Sequence, residues 1–174
     1  DRDSLAGVIR FVQACKDFGI APIVGINLAL ADSRVTLLAQ SNGGSNGGWR
    51  SLCRLMSALR SDRNLPILDL EKIKNLSEYT SNLILLHGPE SEIAQLISKQ
   101  RQDQALQVFN RYPPYFADSI IECTSHLVVG DGPRSTIHAA RMLGFARDHD
   151  LPAVITNGVR MLRSEEHTSE LQSH

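Results

Sequence analysis

Short apolar runs alternate along this chain with stretches that carry apolar residues at helical spacing, and this alternation constrains the fold more than any other feature. Helical patterns cover residues 5–15, 49–59, 91–99, 102–111 and 136–149. The apolar runs cover residues 21–30, 34–40, 82–87, 118–128 and 151–156. Strands separated by helices of this length are typical of βαβ units. The pattern therefore predicts an α/β domain with a mainly parallel sheet.

The ends of the predicted strands are the places to look for chemistry. In α/β folds of this kind the functional side chains gather where the strands end. The positions to inspect are Asn27, residues 87–90, His126 and residues 157–160. The turn residues Asp32 and Ser33 also predict that the first two strands pair with each other.

The last twelve residues read as a remnant and not as part of the fold. Residues 163–174 spell RSEEHTSELQSH, which matches the translation of a common sequencing-adapter string. We therefore expect a domain over residues 1–162 and a non-native tail over residues 163–174. The first residue is Asp1 and a helical pattern follows almost at once, which suggests a window cut from a longer protein.

Composition limits the partners and the location of the chain. There are 18 Lys and Arg against 19 Asp and Glu, and no basic stripe stands out, so a strong DNA-binding surface is not expected here. The three cysteines, Cys15, Cys53 and Cys123, have no short metal-type spacing and are interpreted as reduced thiols of a cytoplasmic protein. No apolar stretch is long enough to span a bilayer, so no membrane association is expected.

Several segments, taken in order, resemble one known family. They are DRD at residues 1–3, FVQACKDFGIAPIVGINLAL at 11–30, RVTLLAQ at 34–40, GWRSLCRLMSAL at 48–59 and LPAVITNGVRML at 151–162. Together they resemble the polymerase-and-histidinol-phosphatase (PHP) domain of bacterial DNA polymerase III alpha subunits. The opening DRD is similar to the Thr-Asp-Arg-Asp motif of the error-prone, damage-tolerant branch.

The resemblance implies a fold and a parent protein. The fold would be a partial (β/α)7 PHP-type barrel that lacks its first strands. The parent would be a DNA-directed DNA polymerase used in replication or damage-tolerant repair, expected to use Mg²⁺. It would bind DNA and deoxynucleotides through domains absent here, and it would contact other replication or repair proteins.

In active members of this family a cluster of His, Asp, Glu and Cys at the strand ends binds metal ions that activate water. Here Arg2 stands where a ligating His is expected, and Pro89 stands where a Cys is usual. An arginine repels metal ions, so we interpret the site as vestigial, with no catalytic residue, metal or cofactor in this fragment. The vestigial cluster positions are Asp1, Asn27, Arg34, His126, Gly158 and Arg160.

Two other functions stay open at this point. One is a free-standing, metal-dependent PHP phosphoesterase, which would need an intact cluster. The other is a docking module for replication or repair proteins. Among the remaining candidates, His87 is a polar strand-end residue or a displaced ligand, and Glu122 with His126 resembles an acid-base pair on one face of a strand. His138 and His149 are predicted to be solvated on the surface of a helix.

Overall fold

The computed structural model describes residues 2–30, 32–40, 47–60 and 68–158. Asp1, Arg160 and the predicted tail at 163–174 lie outside the described residues. The strands are β1 (Gly25–Leu30), β2 (Ser33–Ala39), β3 (Leu83–His87), β4 (Asp118–Thr124) and β5 (Ala153–Thr156). The helices are α1 (Val8–Asp17), α2 (Gly47–Arg60), α3 (Leu70–Asn75), α4 (Ser77–Thr80), α5 (Glu92–Ser98), α6 (Gln102–Phe109) and α7 (Thr136–Asp148), with a 3₁₀ turn at Pro113–Tyr115.

The described strands form one sheet in the order β1-β2-β3-β4-β5. β1 and β2 pair antiparallel as the predicted hairpin, with Leu30 opposite Ser33. β2 also pairs antiparallel with β3, whereas β3 with β4 and β4 with β5 are parallel. Four strands therefore run in one direction and β2 alone runs in the other. Two of the four described pairings are parallel, so the prediction of a mainly parallel sheet holds only from β3 to β5. The antiparallel β1–β2 pair agrees with the predicted turn, because a two-residue connection cannot carry a chain back for a parallel pairing, whereas the sequence does not predict the antiparallel β2–β3 pair.

The sheet is open across its described strands, which is consistent with a partial PHP fold. The segment before α1 also joins it. Arg2 forms a parallel bridge with Asn27, and the Asp3 amide donates to the Asn27 carbonyl at 2.9 Å. Residues 2 and 3 thus extend the sheet beyond β1 and bring two charged side chains to its edge.

Alternation along the strands separates an apolar face from a polar one. Ile26, Leu28, Val35, Leu37 and Leu85 point to the helix-covered face and are almost fully buried. The intervening residues of β1 and β2, such as Asn27 and Thr36, point to the opposite face and are half-buried. Side chains of successive strand residues point to opposite faces, so the same strands supply the apolar core on one face and polar side chains on the other.

Serine caps fix the starts of the two helices that follow β3 and β4. The Ser91 hydroxyl accepts from the Ala94 amide at 3.2 Å, and the Ser135 hydroxyl accepts from the His138 amide at 3.1 Å. Each cap satisfies an amide that a helix start would otherwise leave without a partner. α5 and α7 consequently begin at defined positions beside the ends of β3 and β4.

The prediction that His138 is solvated is wrong. His138 is 1% exposed on the side of α7 that packs against α5. Among the described residues, neither of its ring nitrogens has a hydrogen-bond partner at normal distance and angle. Burial lowers the pKa of His138, and the Ala94 carbonyl opposes that effect only in part. His149 is also less solvated than predicted, because its ring packs edge-on against Phe145 with 4.9 Å between ring centroids.

Replacing His138 with leucine is expected to raise the free energy of unfolding by about 1 kcal/mol, because two buried polar atoms that lack a hydrogen bond of normal geometry leave the interior. Urea unfolding, followed by the fluorescence of the single tryptophan, Trp49, measures the change. His87→Leu is the matched control, since the His87 ring bonds to Ser119 at 2.9 Å and its loss leaves a buried hydroxyl unpaired. A leucine at position 138 that destabilised the chain as much as the control would contradict this account.

None of the helices in the described ranges is long and apolar enough to cross a membrane.

Candidate functional site

The candidate site lies at one end of the strands, where β1, β3, β4 and β5 end and where β2 begins. Because β2 runs opposite to the others, its first residues reach the same edge as the last residues of its neighbours. This geometry places Asn27 and Arg34 side by side, with the β3–α5 connection next to them. The sequence predicted this edge as the place to inspect, and the charged side chains gather there.

Arg34 is the centre of the first group of contacts. Its Nε donates to Asn27 Oδ1 at 2.6 Å, and its Nη2 donates to the two carboxylate oxygens of Asp3 at 2.9 and 2.8 Å. The same Nη2 lies 2.9 Å from the Asn27 carbonyl oxygen. Asn27 in turn donates from Nδ2 to Thr36 Oγ1 at 3.2 Å. The planar guanidinium therefore holds the segment before α1, β1 and β2 together.

Glu90 is the centre of a second group. Both of its carboxylate oxygens accept from Arg2 Nη2 at 3.0 Å, and Oε1 also accepts from Arg134. The two groups touch, because the Arg34 amide donates to the Glu90 carbonyl at 3.0 Å. Arg60 adds a contact from α2 to the Asp3 carbonyl at 2.8 Å. We call Arg2, Asp3, Arg34, Arg60, Glu90 and Arg134 the arginine cluster.

The arginine cluster carries four guanidinium groups and two carboxylates. An open cleft of about 530 Å³ adjoins it, lined in part by Arg34, Pro89, Glu90 and Pro133. Pro89 faces this cleft at the position where the PHP resemblance leads us to expect a cysteine, and a proline side chain offers no ligand atom. The region thus has more positive than negative charge, which favours anions over cations.

The residues at this end of the sheet do not fit the metal centre that the PHP resemblance implies. The side-chain oxygen atoms of Asp3, Asn27 and Glu90, which could otherwise ligate a cation, already accept from guanidinium groups. In the described ranges, no three residues among His, Cys, Asp and Glu are grouped so that they could hold a metal ion. Fixed positive charge at hydrogen-bond distance from these oxygens would repel a divalent cation.

His126 and Gly158 lie together at the ends of β4 and β5. His126 Nε2 is 2.7 Å from the Asn157 carbonyl, so that nitrogen carries the proton and donates. Gly158 has a φ of +52°, and a Cβ there would lie 3.1 Å from a Thr124 methyl. Asp1 and Arg160, the two remaining predicted positions, lie outside the described residues.

Glu122 bonds to a residue of β5, whereas His126 bonds to a residue just after β5. The Glu122 carboxylate accepts from the Thr156 hydroxyl at 2.7 Å, whereas His126 bonds to the Asn157 carbonyl. The Glu122 carboxylate also lies close to Gly88, where an added Cβ would come within 2.5 Å of Oε2. These separate bonds do not support an acid-base pair.

His87 belongs to the core. It is 1% exposed, it bonds to Ser119, and its ring centroid lies 5.5 Å from Phe109 and 5.2 Å from Tyr112. Burial lowers the pKa of His87 to about 3. Because its ring is neutral and packed on the helix side of the sheet, His87 is better interpreted as a polar residue at the strand end than as a displaced metal ligand.

Sequence reasoning did not single out Asp3, Arg60 or Arg134 as site residues, and it included Glu90 only within residues 87–90. Asp3 had a signal, since it belongs to the DRD segment beside a predicted cluster position. Arg134 had only a weak one, as a charged residue just before the Ser135 cap.

Comparison with known proteins gives the same family as the resemblance noted in the sequence. Residues 1–126 match the PHP domain family. The DNA polymerase III subunit alpha of Vibrio cholerae is 29% identical over 176 aligned residues, which cover 95% of this chain and 14% of that protein. The DNA polymerase III subunit alpha of Caulobacter vibrioides is 24% identical over 177 residues, which cover 91% of this chain and 14% of that protein. The chain thus spans only about 14% of the length of these curated relatives.

Proposed function

Because the chain belongs to the PHP domain family, we propose that it is the PHP domain of a DNA-directed DNA polymerase of the DNA polymerase III alpha type. The similarity to two such subunits over more than nine-tenths of the chain supports this parent. In this proposal the parent acts in the cytoplasm and binds DNA and deoxynucleotides through other domains. Mg²⁺ would serve the polymerase reaction there. Closure of a (β/α)7 barrel by further strands of the parent is part of the same proposal.

We also propose that the PHP domain is structural and that its metal centre has been replaced. The observation that supports this most is the Arg34 guanidinium bound between Asp3 and Asn27. The cluster joins five parts of the chain: the segment before α1, the β1–β2 hairpin, α2, the β3–α5 connection and the β4–α7 connection. Bridging metal ions could hold these parts together in the same way, but they would also supply hydrolytic chemistry, which the guanidinium groups do not.

The error-prone branch is the finer part of the proposal, and the DRD segment supports it. Arg2, which stands in place of a ligating His, uses its guanidinium to bind Glu90. An arginine at this position removes a metal ligand and supplies an ion pair in one substitution. A replacement of this kind is compatible with a polymerase branch that uses the domain as a scaffold.

The product of the intact gene is expected to extend a primed DNA template in the presence of Mg²⁺ and deoxynucleotides. Extension past an abasic site or another template lesion tests the error-prone part separately. The matched control is the same protein with the acidic residues of its polymerase domain replaced by alanine. A purified full-length product that extended no primer but hydrolysed a phosphomonoester would favour the free-standing phosphoesterase instead.

A further inference from the structure

We draw no further inference here: the strongest candidate, the open cleft between the turn of the β1–β2 hairpin and the β3–α5 connection, belongs to the candidate site already described.

Discussion

Arg34→Ala is expected to lower the free energy of unfolding by about 3 kcal/mol. The substitution leaves the Asp3 carboxylate next to the Asn27 carbonyl, with no guanidinium between them. It also removes the bond to Asn27 Oδ1. Because the Arg34 side chain is only 20% exposed, solvent replaces these contacts poorly. Urea unfolding followed by Trp49 fluorescence measures the difference.

A second substitution at position 34 separates the shape of the guanidinium from its charge, and an exposed arginine provides the control. Arg34→Lys retains the charge but cannot donate from two nitrogens in one plane, so it should recover less than half of the lost stability. Arg147→Ala is the matched control, since Arg147 is 81% exposed and pairs only with its neighbour Asp148 among the described residues; its loss should change stability by less than about 0.5 kcal/mol. Equal effects of the alanine substitutions at 34 and 147 would contradict a structural role for the cluster.

Acid is expected to destabilise the fold because His87 is buried in its neutral form. The unfolded chain binds a proton near pH 6.5, whereas the pKa of His87 in the folded chain is about 3. The unfolded state therefore binds more protons between these values, and stability falls as the pH falls through this window. The His87 contribution to this loss amounts to about 3 kcal/mol between pH 7 and pH 4.5. His138, whose pKa is also lowered by burial, acts in the same direction.

The His87→Gln variant isolates this effect from the titration of carboxylates. Glutamine can bond to Ser119 but does not titrate, so the variant should be less stable at neutral pH and should lose less stability on acidification. The quantity to compare is the change in unfolding free energy between the two pH values, in the parent chain and in the variant. The same change in both would show that His87 does not carry the acid sensitivity.

Periodicity in the sequence predicts most helices and strands because the apolar positions of each element face one core. The β1–β2 hairpin follows from the turn at Asp32 and Ser33, and the place of Glu90 follows from the end of β3. Asn27 is also predicted at a strand end, but it lies inside β1, which continues to Leu30. Strand β4 is shorter than predicted, since residues 125–128 are apolar in part but leave the sheet, with Leu127 at positive φ. Apolar character alone does not distinguish a strand from an exposed loop.

The contacts within the site depend on distances in space that a local pattern does not contain. Arg34 and Asp3 are 31 residues apart, and Arg134 and Glu90 are 44 apart. Their pairing requires the reversed direction of β2 and the close approach of two connections. His138 illustrates the same limit, because a histidine in an amphipathic helix is buried or solvated according to which neighbour packs against it. Here α5 covers it.

The metal content of the full-length protein tests most directly whether the arginine cluster has taken the place of a metal centre. The protein would be incubated with Mn²⁺ or Zn²⁺, dialysed against metal-free buffer and analysed by mass spectrometry for bound metal. We expect the PHP domain to retain far less than one metal ion per chain, with no change in the value for Asp3→Ala or His126→Ala. One or more tightly bound ions per chain, lost in those two variants, would contradict the replacement.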